Sequence, residues 1–178
     1  MPLPFYTVGH STRTIEAFAQ LLRAAEVTLV VDIRTIPRSR TNPQFNGDTL
    51  AQALAPYAIG YRQIAALGGR RTKSKTVPPG RNGFWENQSF HNYADYALGE
   101  AFHAGLKQLI ALGREQRCAM MCSEAVWWRC HRRIVADYLL ARGERVLHLM
   151  NDDRIEIATL TRGAQMQDDG DVSYPGAA

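Results

Sequence analysis

Between Cys122 and Arg133 the chain reads CSEAVWWRCHRR, which places two thiols, one carboxylate, one imidazole, three guanidiniums and two indoles within twelve residues. A packed core asks for apolar volume, and the first turn of a solvated helix favours acids over arginines, so neither need explains this mixture. Each group has its own chemistry. Glu124 can serve as a general acid or base. Cys122 and Cys130 can act as nucleophiles where positive charge or a helix N-terminus favours thiolate. Arg129 and Arg132 suit a phosphate, since a guanidinium fork matches its oxygens two at a time. Trp127 and Trp128 offer faces on which a base can stack.

Two shorter segments carry groups of the same kind. GHST at 9–12 contains His10, which could donate to a phosphate or transfer a proton, followed by Ser11. VDIR at 31–34 contains Asp32, a second candidate acid or base, and Arg34, a candidate anion ligand. Around them the positive charge is concentrated. Arg34, Arg38, Arg40, Arg70, Arg71, Lys73, Lys75, Arg81, Arg129, Arg132 and Arg133 are eleven of the 21 Lys and Arg, and they fall in three connections. Few acids oppose them, chiefly Glu86 and Glu124. Arginines in a first turn oppose the helix dipole, and a bound phosphate would reverse that balance. Phe45, Phe84 and Trp85 interleave with this charge, as in sites for nucleotides or single-stranded nucleic acid. The loop RRTKSKTVPPGRNGFW reads as a mobile cover for the site.

The elements that must position these groups alternate in type. Short apolar runs at 4–8, 28–33, 59–64, 118–122 and 145–150 read as strands buried on both faces of a parallel sheet. Helical spacing separates them: IEAFAQLLRAAE behind a Thr14 cap, a short segment opened by Asp48, SFHNYADYAL, AFHAGLKQLIALG, and RRIVADYLLARG ending at Gly143. Strands alternating with helices predict a doubly wound, mostly parallel α/β sheet of five strands, Rossmann-like, in the order 3-2-1-4-5. In such sheets the ligand sits beyond the carboxyl ends of the strands, where strand order reverses. GHST, VDIR and CSE all arrive at such ends. Residues 1–162 are expected to form this single domain, and 163–178, polar and Pro/Gly-bearing, a loose tail. No apolar run is long enough to span a bilayer, the start lacks a leader pattern, and three clustered cysteines do not suit a disulfide framework, so a cytoplasmic chain is expected.

Several chemistries are disfavoured. Cys122, Cys130, His131 and His10 have the ligand types for zinc, but their spacing matches no zinc pattern, and adjacent Cys130 and His131 point about 100° apart on a helix. No C-x-x-C, Walker loop, G-x-G-x-x-G or G-x-S-x-G occurs. No metal or other cofactor is therefore expected. Cys118 reads as core, and Cys122 and Cys130 are expected to matter less than Glu124 and the arginines.

The segments GHSTRTIEAF, VDIRTIPRSRTNPQFN, YADYAL and AMMCSEAVWWRCHRR together resemble the domain of unknown function family 488, over nearly the whole chain up to about residue 160. The resemblance implies an α/β domain and a shared polar cluster of Gly9, His10, Ser11, Asp32, Arg34, Cys122, Glu124, Cys130, His131 and Arg132. It brings no reaction with it. The side chains point to a nucleotide- or nucleic-acid-binding enzyme, a hydrolase or transferase acting at a glycosidic or phosphate bond. Glu124, His10 and Asp32 would do the chemistry, and Ser11, Arg34, Arg129, Arg132, Trp127 and Trp128 would bind. The alternatives are a non-catalytic nucleotide or nucleic-acid module, and a thiol or metal enzyme centred on Cys122 and Cys130, with His131 as a further ligand if a metal were held.

Overall fold

The computed structural model describes residues 2–151 and 154–176; Met1, Asp152, Asp153, Ala177 and Ala178, the last two of which end the expected tail, lie outside the described residues. The five expected strands form as β1 (Phe5–Gly9), β2 (Leu29–Asp32), β3 (Gly60–Gln63), β4 (Cys118–Cys122) and β5 (Val146–Leu149), all parallel, and β6 (Ile155–Ile157) adds antiparallel to β5. The sheet runs β3-β2-β4-β1-β5-β6. This corrects the expected order in one respect that matters: β4 lies between β2 and β1, not outside β1. Every residue of β4 is buried, as are those of β1 and β2, whereas β3 and β6 alternate with exposed positions and take the edges. Burying the most apolar strands inside the sheet removes the most surface from water.

Helices α1 (Ile15–Ala24) and α2 (Gly47–Leu54) cover one face. Thr14 caps α1 by accepting from the Ala17 N–H, and Phe18, Leu21 and Leu22 lie at helical spacing against Tyr6, Val8, Val30, Ala119 and Met121. The other face carries α3 (Gln88–Tyr96), α4 (Glu100–Glu115) and α5 (Arg132–Ala141), which pack on Phe5, Val31, Cys118 and Met120. The period of two along β1 and β4 thus sends alternate residues to different helical layers. Gly143 ends α5 with a φ of +80°, the left-handed residue that a glycine supplies without strain. Among the described residues no helix is long and apolar enough to cross a membrane.

The C-terminal segment does not hang free as expected. Strands β7 (Gln165–Met166) and β8 (Val172–Ser173) form a hairpin against α5, with Val172 and Tyr174 fully buried. Tyr174 donates its hydroxyl to Asp137 at 2.7 Å and its N–H to Asn82 Oδ1 at 3.0 Å. Two apolar side chains in a polar stretch are too few to register as a pattern, yet each fills the core when the chain returns to it.

Candidate active site

Because β4 is central, its carboxyl end has neighbours on both sides. Beyond β1, the His10 and Ser11 N–H groups donate to Cys122 O and Ser123 O at 2.8 and 3.1 Å, and beyond β2 the Ile33 N–H donates to Met121 O at 3.0 Å. The three strand ends are zipped together past the sheet itself. Gly9 is required here, since a Cβ on it would lie 1.8 Å from Glu124 O. The chain after β1 and β2 passes to the α1/α2 face and the chain after β4 passes to the α5 face, which opens a cleft of about 660 Å³ over the strand ends.

The cleft is lined by His10, Ser11 and Arg34, by Cys122, Glu124 and Arg129, and by Cys130 and His131, so the structure brings together eight of the expected site residues. Arg38 and Arg70 join them from the second and third connections. Among the described residues, the wall carries four arginines and one carboxylate, Glu124, which is exposed. Thr35, Ile36, Asn42, Ser89 and Phe90 also line it and were not anticipated, because their types carry no chemical signal at the level of sequence.

Asp32 is not on the wall. It is fully buried and accepts from Arg34 Nε at 2.9 Å, Arg34 Nη2 at 2.7 Å, the Arg34 N–H at 3.1 Å and the Tyr61 hydroxyl at 2.5 Å. All its capacity is taken by these donors, so it positions Arg34 and does not stand as an acid or base toward a ligand. Burial, and then the bond to Asp32, hold the Tyr61 hydroxyl far above its usual range. Arg34 in turn donates to Phe45 O at 2.7 Å and to His10 Nε2 at 3.3 Å. His10 therefore carries its proton on Nδ1, donated to Ser11 O at 2.8 Å, and its ring stacks on Phe45 with centroids 4.4 Å apart. Burial and the Arg34 charge lower its pKa, so it is a neutral imidazole with both nitrogens engaged. His10 lines the cleft, with both ring nitrogens bonded within the protein.

Arg132 is also behind the wall. Its side chain is fully buried, with Nε donating to Thr7 Oγ1 at 3.2 Å, Nη1 to Cys122 Sγ at 2.7 Å and Glu124 O at 2.6 Å, and Nη2 to Ala125 O at 3.2 Å. It shapes the loop that carries Glu124 rather than reaching a ligand. Thr7 passes the network on to His148 Nδ1 at 2.6 Å. Burial, and then the Arg132 charge, push the His148 imidazole down to about 3, so it is neutral. Thr7 and His148 could have been noticed in sequence as the polar residues inside otherwise apolar strands.

The tryptophans lie off the cleft. Trp127 stacks on His148 with centroids 4.7 Å apart and donates Nε1–H to Glu156 at 2.9 Å, and Trp128, 43% exposed, packs edge-on against Trp127. The basic loop is tied down rather than loose: Arg71 lies 3.8 Å over the Tyr96 ring and donates to Gly68 O and Ala65 O. Lys73 sits with Arg71 in a separate depression. Arg133 stacks against Trp85 and Trp127 and donates to Thr161.

At the floor, Cys122 and Cys130 share Arg132, which donates Nη1–H to Cys122 Sγ at 2.7 Å and its backbone N–H to Cys130 Sγ at 3.4 Å. Burial raises both thiols, and for Cys122 it dominates. For Cys130 it is overcome by the Cys122 S–H, the Arg132 charge and the Arg132 N–H, which donates to Cys130 Sγ at 3.4 Å, and its pKa comes down to about 7. His131 Nε2–H donates to Ile33 O at 2.8 Å, which leaves Nδ1 as an acceptor 3.6 Å from Cys130 Sγ. Among the described residues no three His, Cys, Asp or Glu side chains are arranged to hold a metal ion.

Residues 14–139 match the model of the family described as domain of unknown function DUF488. The chain belongs to this family. The DUF488 match contains Arg34, Cys122, Glu124, Cys130 and Arg132 and begins after His10 and Ser11. No curated protein and no solved structure matches the chain.

Proposed function

We propose that this DUF488 chain is an enzyme that binds a phosphate-bearing small molecule of nucleotide size in the cleft and hydrolyses or transfers at a phosphate or glycosidic bond, with Glu124 as the general acid or base. The observation that carries this reading is the wall itself, four arginines and a single carboxylate around about 660 Å³, a volume within the range of small-molecule sites. Arg34 is neutralised by Asp32, so Arg38, Arg70 and Arg129 are the cations offered to an anion. The His10 and Ser11 N–H groups are spent on Cys122 O and Ser123 O, so neither is offered to an anion. A mononucleotide fits better than a nucleic-acid strand, since Trp127 and Trp128 are off the cleft and the basic residues do not form one continuous track. Three unpaired cysteines suit a reducing compartment such as the cytoplasm.

Calorimetry with a nucleoside monophosphate, inorganic phosphate and a single-stranded oligonucleotide at low salt tests the reading. The mononucleotide should bind and the oligonucleotide should bind no more tightly. Arg38→Ala, Arg70→Ala and Arg129→Ala should each weaken binding roughly two- to fivefold, the worth of an exposed charge contact of up to about 1 kcal/mol. Glu124→Gln should keep binding and lose turnover in a screen of nucleotide esters and glycosides. Absence of binding to both phosphate ligands would remove the proposal.

A further inference from the structure

The cluster under the cleft holds a charge that needs a partner. A guanidinium does not shed its proton inside a protein, and a buried cation without an anion is strongly disfavoured. Arg132 is fully buried and its side-chain partners are the Thr7 hydroxyl, the Cys122 sulfur and two backbone carbonyls, none of them a carboxylate. His148, the next group in the network, is neutral. The ionisable acids hydrogen-bonded to Arg132 are the two thiols, Cys122 through Nη1 and Cys130 through the backbone N–H. The first turn of α5 points the same way. His131 at the cap position makes no side-chain capping bond, and the Arg132 N–H is taken by Cys130 Sγ. Sulfur therefore occupies the place where a helix N-terminus favours negative charge.

We propose that Cys130 and Cys122 are a redox-active dithiol on the cleft floor, in which a hydroperoxide oxidises Cys130 and Cys122 resolves it to a disulfide. Both sulfurs line the cleft, though they are only 5% and 3% exposed, which admits a small oxidant better than a bulky one. Around Cys130, Arg132 of α5 donates its backbone N–H to the sulfur, His131 Nδ1 from the cap of α5 lies 3.6 Å away, and Cys122 from β4 shares Arg132 with it, while the Tyr93 hydroxyl of α3 is turned to Leu67 O. His131 Nδ1 is the first acceptor for its proton, because Nε2 is held by Ile33 O.

In the first step the Cys130 thiolate attacks the terminal oxygen of the hydroperoxide. An S–O bond forms, the O–O bond breaks, and the alkoxide leaves and takes up the proton that Cys130 lost. In the second step the Cys122 sulfur attacks the Cys130 sulfenic acid. The S–S bond forms, the S–O bond breaks, and hydroxide leaves with the Cys122 proton as water. Two electrons pass from the sulfurs to the peroxide. The disulfide would take from Arg132 its anionic partner, and Arg132 holds Glu124 O and Ala125 O, so oxidation acts on the wall of the same cleft.

The test treats the full chain with hydrogen peroxide without any phosphate ligand, then alkylates the remaining thiols and maps them by mass spectrometry. The expected product is two hydrogens lighter, with Cys122 and Cys130 joined and Cys118 still alkylated. Cys118 is fully buried and its thiol is pushed up to about 11. Cys130 should be lost at least about tenfold faster than Cys118, given its larger thiolate fraction at neutral pH. Cys122→Ser should stop at a sulfenic acid on Cys130 that a dione reagent traps. Oxidation of Cys118 as fast as Cys130, or peroxide treatment that leaves Cys122 and Cys130 both alkylatable, overturns the proposal in the wild-type chain alone. Because the readout is on sulfur, failure of phosphate binding leaves it standing, and its own failure leaves phosphate binding standing.

Discussion

Replacing Asp32 with asparagine keeps the shape of the side chain and removes its charge, which makes it a direct test of how the cleft is held. In the structure Asp32 is fully buried and receives two N–H donors from the Arg34 side chain, one from the Arg34 backbone and the Tyr61 hydroxyl. Arg34 is 7% exposed, so Asp32→Asn leaves a guanidinium in the interior with no anion. Breaking such a pair from one side costs about 3 to 5 kcal/mol. With a urea slope of about 2 kcal/mol per molar, the midpoint should fall by roughly 2 M. Asp32→Leu combined with Arg34→Met removes both charges and should cost clearly less than the sum of the two single changes, because neither charge is left alone. Urea unfolding of the three variants against the wild type measures this directly. An unchanged midpoint for Asp32→Asn would refute the argument and return Asp32 to the list of chemically active groups.

Other outcomes follow from the same geometry. The pKa values of His10 and His131 are lowered by burial and by nearby Arg34 and Arg132, and that of His148 comes down to about 3, while the unfolded chain titrates near 6.5. Between pH 7 and pH 5 the unfolded state therefore takes up a proton that folded His148 refuses, and stability should fall with a slope approaching about 1.4 kcal/mol per pH unit from this residue, with His10 and His131 acting in the same direction. Urea midpoints at pH 7, 6 and 5 give the slope, and a flat profile would mean that these rings are not held neutral. Gly9→Ala places a Cβ against Glu124 O and should lower stability by about 1 to 3 kcal/mol in a thermal melt. It should also increase amide exchange at 123–126, and wild-type behaviour on both counts would show that the strand ends can separate without cost.

How much of this was legible in the sequence depends on the range of the interaction responsible. The strands of the five apolar runs and the Thr14 cap on α1 are local properties, carried by continuous apolar stretches, helical spacing and one side chain reaching three residues along. The position of GHST, VDIR and CSE at strand ends followed from the same patterns, and so did their meeting at one cleft, because parallel strands present their carboxyl ends together. Which strand lies between which was not local. Placing β4 between β2 and β1 depends on the total apolar surface that each arrangement buries, and with it came the contact of Gly9 with Glu124. The C-terminal hairpin escaped notice for the same reason, since Tyr174 gains its partners only from Asn82 and Asp137, far away in the chain.

Residue type alone made Asp32, His10 and Arg132 look like groups for a ligand. Their roles were decided by what else reached them: Arg34 and Tyr61 for Asp32, Ser11 O and Arg34 for His10, and Thr7, Cys122 and two carbonyls for Arg132. The sequence by itself determined that acids, thiols and arginines would gather at one edge of a parallel sheet. Only the tertiary structure decided that one arginine would be buried without a carboxylate and the sulfur of Cys130 drawn toward thiolate, because the energy of a charge depends on the water it has lost and the partners it has gained, and both are set by packing.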